Sequence, residues 1–355
     1  PEDVIVTSDG KLQEGWLYKE DGLFGKEFQG YYTSSATHFD HGLPRVAADL
    51  DQNPYTARFL DVELASSLFE DYSELHPATR EEDMYYRMQA LSLFANGFDL
   101  VTGSEEFREW AVPFHHYSEG TMTIVPAENA GYDWQTPITA VSDDYIDFNI
   151  SPQYRIPLQQ LVYHDSHVTT WYTGDGATKV PSVWDDKDLF NALYGSMPLF
   201  FPPDMAYWEE NRMRFIDSYH IGSLVFRETG TVKMVDHRIL TEDRLVQETE
   251  FENGWVVTAN FRDIPFEDPR FPFQLAAKGL YATDGTQVIA RVMMGGGPTI
   301  YVNLQDRIYL HPSAGGVEYG GFRTSGSVLL LRDEEGSYQL NLLDGQRRIQ
   351  LNTFM

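Results

Sequence analysis

Residues 79–97 read TREEDMYYRMQALSLFANG, and the chain runs straight on through FDLVTGSE to Glu105. Thr79 is a good N-terminal cap, and Glu81 and Glu82 suit the positive end of a helix. Met84, Met88, Leu91 and Ala95 recur at helical spacing, so the pattern predicts a helix over residues 79–96 with that apolar stripe facing inward. Gly97 stops it, and the next apolar stretch begins at once. Upstream, Ala57-Arg58-Phe59-Leu60-Asp61 has the texture of a short strand. Strand, crossover helix and strand again is the signature of a parallel βαβ unit.

Outward from this unit the chain divides near residue 222. Before it, strands are predicted at 30–35, 57–63, 99–105, 121–125, 160–168 and 197–201. A closed (β/α)₈ barrel needs eight strands and typically about 250 residues. Either two strands are hidden or the chain begins part-way through a larger barrel, and the second is the expectation adopted. Beyond residue 222 short alternating strands meet in tight turns. Residues 245–251 and 255–261 flank Glu252-Asn253-Gly254, and the same grammar runs through 328–332, 337–343 and 347–353, with Asp344-Gly345 between the last two. Asn-Gly and Asp-Gly supply the positive φ that hairpin turns need. The expected fold class is therefore α/β plus all-β. Residues 1–222 form the C-terminal portion (about strands 3–8) of a (β/α)₈ TIM-type barrel, and 223–355 an antiparallel β-sandwich.

Composition narrows the function. Among 355 residues, 26 Lys and Arg stand against 54 Asp and Glu, a net charge of −28. Such a chain repels nucleic-acid backbones and anionic membrane surfaces, so neither is an expected partner. A lysine-poor acidic surface suits an extracellular or salty setting, and equally an ordinary acidic protein. No cysteine is present, which removes disulfides, thiolate metal sites and cysteine nucleophiles. No apolar run approaches the roughly 20 residues of a membrane span. Opening at Pro1, the chain is expected to be a processed or trimmed product. Aromatics reach 14%, favouring large cores or sugar-stacking surfaces.

Two carboxylates stand out by position. Asp61 ends one predicted strand and Glu105 the next. On neighbouring parallel strands about 4.8 Å apart, both would project from the C-terminal ends, where barrel active sites are built. A separation near 5 Å suits a retaining glycosidase, in which one carboxylate attacks and the other protonates the leaving oxygen. Alternatively each merely caps the helix that follows. Tyr163-His164-Asp165-Ser166-His167, read as the end of a strand, is followed by Trp171, Tyr172 and Asp175. That cluster could bind sugar hydroxyls beneath a stacking ring, hold a metal, or consist of satisfied core histidines; its spacing matches no zinc motif. Gly295-Gly296-Gly297 lacks the strand-to-helix context of a phosphate loop.

Taken in order, Phe59-Leu60-Asp61, the segment from His76-Pro77 to Asp83-Met84, Gly103-Ser104-Glu105 and Glu109-Trp110-Ala111-Val112-Pro113 carry a family likeness. So do Leu161-Val162-Tyr163-His164-Asp165, Gly174-Asp175-Gly176, the run from Lys187-Asp188 to Tyr194-Gly195, and Asp236-His237-Arg238 with Val246-Gln247-Glu248-Thr249. The chain resembles the glycoside hydrolases related to families 101 and 129, the endo- and exo-acting α-N-acetylgalactosaminidases, over about residues 28–262. The resemblance implies a retaining α-glycosidase with Asp61 as nucleophile and Glu105 as acid/base. It places His164, Asp165, Trp171 and Asp175 in the substrate-binding region of the seventh strand. Trp110, Trp134, Trp171 and Trp184 are candidate stacking rings. Glu106, next to Glu105, is assigned to the substrate side and is also a rival acid. Glu63, two residues past Asp61, should share its face by strand periodicity. No cofactor or metal is expected. A carbohydrate is the expected substrate, and a separate N-terminal polypeptide or segment is expected to complete the barrel. The other readings are a non-catalytic carbohydrate-binding protein derived from such a hydrolase, an α-glycosidase for another sugar, and a metal-dependent hydrolase at His164 and His167.

Overall fold

The protein is described from a computed structural model covering residues 2–18, 27–125 and 136–343, with the backbone of Gln350–Leu351. The expected turn at Asp344-Gly345, and Trp134, lie outside the described residues. The chain forms two compact units, Pro1–Glu119 and Gly120–Met355, so the change of texture near 222 falls inside the second.

In the first unit β1 (Glu14–Tyr18) and β2 (Phe28–Tyr31) form an antiparallel pair, so the segment expected at 30–35 belongs to a hairpin-like ribbon rather than a parallel sheet. Helix α1 (His38–Gln52) follows, then β3 (Ala57–Leu60), α2 (Arg80–Ser92), β4 (Val101–Glu105) and β5 (Tyr117–Glu119). Strands β3, β4 and β5 lie side by side and parallel, with Leu60 opposite Ser104 and Glu105 opposite Glu119. The βαβ expectation holds. Among the described residues of this unit the parallel strands make an open sheet, not a closed barrel.

Thr79 caps α2 as its sequence suggests, and through a full capping box: Thr79 Oγ1 accepts from the Glu82 N–H at 3.2 Å while Glu82 Oε2 accepts from the Thr79 N–H at 2.8 Å. The helix ends in one wider turn, where the Phe98 N–H reaches back five residues to the Leu93 carbonyl. Its buried face differs from the expected stripe. Asp83, Arg87, Ala90 and Leu91 are buried, whereas Met84 and Met88 are only half-buried. A periodicity count that scores charged residues as outward-facing misses a buried ion pair, here Asp83–Arg87 at 3.0 Å.

In the second unit come the one-turn helix α3 (Asp143–Tyr145), α4 (Leu158–Tyr163), the short β6 (Val168–Thr169), α5 (Trp184–Tyr194), α6 (Met205–Ser218) and α7 (Leu224–Thr229). Three expected strands fail here. Residues 121–125 turn instead, because Asn149 Oδ1 takes the N–H groups of Ile124 (2.8 Å) and Val125 (3.0 Å) that a neighbouring strand would otherwise use. Residues 160–163 are helical, starting from Pro157, and 197–201 bond singly to Thr169 and Thr178.

The antiparallel region is one nine-stranded sheet in the order β17-β16-β13-β12-β11-β10-β9-β8-β7. Its strands are β7 (Met234–Ile239), β8 (Val246–Phe251), β9 (Val256–Asn260), β10 (Leu275–Thr283), β11 (Val288–Met294), β12 (Gly297–Asn303), β13 (Arg307–Pro312), β16 (Val328–Arg332) and β17 (Tyr338–Leu342). A small sheet of β14 (Val317–Tyr319), β15 (Phe322–Thr324) and β18 (Gln350–Leu351) accompanies it. The hairpins expected across Asn253-Gly254 and between 328–332 and 337–343 are present, as β8–β9 and β16–β17. Helix α5 is buried along nearly all its length and packs Leu189, Phe190 and Leu193 with Val257, Ala259 and Phe261.

Thr79→Ala removes one side of the capping box and is expected to cost about 1 kcal/mol of stability. A shift of the urea midpoint at unchanged slope would show it.

Candidate active site

The Asp61 region is built by α2 from below. Arg87 is buried, and its guanidinium donates to the carbonyls of Glu63 (2.8 Å), Ser66 (3.2 Å) and Ser67 (2.9 Å). Asp83 accepts the Phe69 N–H at 3.0 Å and the Ser35 hydroxyl at 2.5 Å. The loop after β3 is thus held at several points. Val62 sits in the left-handed region at φ 62°, a conformation β-branched residues rarely adopt. Strain of this kind persists only where surrounding contacts enforce it, and it gathers at functional sites.

With Leu60 opposite Ser104, Asp61 and Glu105 each follow the last register pair of adjacent parallel strands. Asp61 is exposed and Glu105 half-buried. The Val62 N–H donates to Glu105 Oε2 at 3.2 Å. Burial pushes the Glu105 carboxyl above its ordinary value, and the nearby Asp61 and Glu106 charges add to that, against the lowering effect of the Val62 N–H. Gly103 is needed two residues earlier, because a Cβ there would fall about 2.1 Å from the Tyr117 ring. That ring also meets Phe59, centroid to centroid at 6.1 Å. Glu119 is the residue sequence reasoning missed. It lies in register with Glu105 at the end of β5, and the acidic end of Tyr117-Ser118-Glu119 was the available signal.

The two rivals are placed apart. Glu106 turns away at φ 59°, its N–H bonded to the Glu119 carbonyl at 2.7 Å and its carboxylate on Arg108 at 3.2 Å. Glu63 does not share a strand face with Asp61, because β3 ends at Leu60. Its carboxylate is largely buried, 3.6 Å from His38 Nδ1. Burial raises its pKa, but His38 and Arg87 outweigh this and hold it below the ordinary value, while Glu63 holds the His38 pKa up. His38, Asp61, Glu63, Ser66 and Arg87 line one cavity of about 150 Å³. Trp110 lines a separate one of about 450 Å³, with Ser66, Arg80 and Arg108.

The remaining candidates lie in the second unit, and most are core. His164 follows a helix, not a strand. It is buried, with Nδ1 2.6 Å from the Val232 carbonyl and Nε2 2.9 Å from that of Tyr194, and burial lowers its pKa. Asp165 is exposed, beside the Ser166 hydroxyl at 3.2 Å. Trp171 is 1% exposed, so it offers no open face to a sugar. Lys187 Nζ and the Arg155 guanidinium lie 4.4 Å and 5.1 Å from its ring centroids. Asp175 is fully buried and accepts from Tyr145, from Thr123 at 2.8 Å and from Lys187 at 3.0 Å. Burial pushes Lys187 down to about 8 despite Asp175. Trp184 is likewise buried, bonded to Ser218 at 2.7 Å.

Two outcomes follow. In an Asp61→Asn variant Glu105 should titrate at lower pH than in the parent, since a charge that favours its protonated form is gone; carboxyl-carbon NMR reads this. Lys187→Met leaves Asp175 buried without its cation and should cost about 3–5 kcal/mol in denaturant unfolding.

Comparison with known proteins bears on these residues. A search of curated proteins finds no match. Solved structures of the α-N-acetylgalactosaminidase NagBb from Bifidobacterium bifidum are similar in fold. The quadruple mutant superposes with TM-score 0.52 at 24% identity, over 74% of this chain and 37% of that one. Its GalNAc complex gives 0.51 at 23% identity, over 74% and 38%, and its Gal-NHAc-DNJ complex 0.53 at 23%, over 73% and 38%. The chain thus spans well under half the length of these relatives. The family described as glycosyl hydrolases related to GH101, GH129, matches residues 7–135 and 134–250, through both carboxylate-bearing strands and on into the antiparallel sheet. The chain belongs to glycoside hydrolase family 129.

Proposed function

We propose that the protein is a retaining glycoside hydrolase acting on an α-linked sugar, with an α-N-acetylgalactosaminide as substrate. The observation that carries this is the pairing of β3 with β4, which sets Asp61 and Glu105 at neighbouring strand ends with Glu105 pushed toward its protonated form. Adjacent strands about 4.8 Å apart match the roughly 5 Å carboxyl separation of retaining enzymes. The N-acetylgalactosamine assignment draws on the family and on the sugar-bound NagBb structures.

Protonated Glu105 donates its proton to the glycosidic oxygen while Asp61 attacks C1 from the opposite face. The C1–oxygen bond breaks through an oxocarbenium-like transition state, leaving a glycosyl ester on Asp61. Glu105, now a carboxylate, takes a proton from water; that water attacks C1, the C1–Asp61 ester bond breaks to restore the Asp61 carboxylate, and the sugar leaves with its α configuration retained. Glu106 is a weaker choice of acid because it is tied to Arg108, and Glu63 a weaker nucleophile because it is buried against His38. Asp165 and Trp110 remain candidates for substrate contact, while Trp171, Asp175 and His164 are buried in the core of the second unit.

The domain proposal keeps residues 1–222 as the C-terminal portion of a (β/α)₈ barrel and 223–355 as a β-sandwich region. Barrel strands supplied by another segment or polypeptide would close the sheet.

Proton NMR of the intact protein with an aryl α-N-acetylgalactosaminide tests the reading. Release of the α-anomer first supports it, and release of the β-anomer refutes retention. Asp61→Asn should lower kcat at least about 10³-fold, and near-parental turnover would remove Asp61 from the mechanism.

A further inference from the structure

Beside the Asp61 cavity lies the one lined by Ser66, Ser67, Leu68, Arg80, Arg108 and Trp110, about 450 Å³ in volume. The two cavities share Ser66, whose hydroxyl is tied to the Val62 carbonyl at 3.0 Å, so they adjoin across the loop that carries Asp61. Its lining is unusual for this chain. Acidic residues outnumber basic ones by 54 to 26, yet both charged side chains lining this cavity are arginines.

Arg80 is exposed at the first position of α2 and makes no hydrogen bond or ion pair among the described residues. Glu82 is engaged by Thr79, and Asp83 by Arg87. Arg108 is oriented by the Leu64 carbonyl on Nε (3.0 Å) and by Glu106 on Nη2 (3.2 Å), and its Nη1 has no partner among the described residues. Glu106 offsets part of the Arg108 charge but none is spent on Arg80. Trp110 is half-buried and anchored against Leu64, Leu91 and Ala111, so its ring is fixed in place. A guanidinium is a planar fork matched to carboxylate and sulfate oxygens, and an indole covers the apolar face of a pyranose.

We propose that this cavity binds an anionic substituent, a carboxylate or sulfate, borne on a sugar ring. The site is a substrate subsite if the glycosidase reading holds, which is where the inference leans on it. A chain with charge −28 repels anions at long range, but screening over about 8 Å at physiological salt confines that repulsion, so local arginines decide the outcome inside a cavity.

The test titrates the intact protein, by calorimetry or ligand-observed NMR, with galactose, galacturonic acid and galactose 6-sulfate. These share one ring and differ at C6. At least one anionic sugar should bind about tenfold or more tighter than galactose, as a charge-assisted hydrogen bond provides. A preference for galacturonate assigns a uronic acid, and one for the sulfate assigns a sulfated sugar. Arg80→Gln should cut that preference at least fivefold while circular dichroism and the melting temperature stay as in the parent. Equal binding of all three, or a preference that survives Arg80→Gln, overturns the proposal. Binding needs no turnover. A protein that prefers the anion but hydrolyses nothing keeps this inference and loses the glycosidase reading; hydrolysis abolished by Asp61→Asn without anion preference does the reverse.

Discussion

The Asp83–Arg87 pair on α2 is the contact on which the candidate site depends. One buried guanidinium collects three backbone carbonyls from the loop after β3, and one buried carboxylate collects the Phe69 N–H and the Ser35 hydroxyl. Removing one partner of a buried pair typically costs about 3–5 kcal/mol, because the other charge is left stranded. Here the loss would extend further, since the same atoms also satisfy the loop's polar backbone. Only with the loop held can Val62 stay at positive φ and present its N–H to Glu105. The crossover helix of the βαβ unit is therefore also the template for the strand-end carboxylates.

The second unit uses charge differently. Lys187, Asp175, Tyr145 and Arg155 are buried together around Trp171 and Phe190, with cation–π contacts between 4.4 and 5.6 Å. Desolvation weighs heavily on such groups, which is why Lys187 falls to about 8. The cluster joins loops and α5 into the core that packs on the nine-stranded sheet. Lys187 and Tyr145 donate to the Asp175 carboxylate, and Arg155 donates to the Met122 and Asn149 carbonyls, so these polar groups are engaged within the core.

Legibility of the sequence tracked the range of the forces involved. The capping box at Thr79, the βαβ order and the hairpins at β8–β9 and β16–β17 are local, and each was readable from a few neighbouring residues. The strand-end positions of Asp61 and Glu105 followed from that local order. What escaped depended on distant partners. Asn149 takes the backbone of residues 124 and 125 from 24 or more positions away, so no local pattern could show that the apolar stretch 121–125 turns. The buried face of α2 was misjudged because Asp83 and Arg87 neutralise each other inside. Trp171 and Asp175 looked like binding residues because aromatic and acidic groups suit sugars; only the surrounding cations reveal them as core.

The Val62 N–H has one more consequence. By occupying Oε2 of Glu105 it favours that oxygen as the acceptor, so in the proposed acid the proton rides on Oε1. The carboxyl group then has a single donor direction instead of two interchangeable ones. Under the proposed mechanism a leaving group approaching along that line would meet the proton, and one displaced toward Oε2 a lone pair engaged by Val62. One backbone amide, held in an uncommon conformation, would in that mechanism give the site handedness.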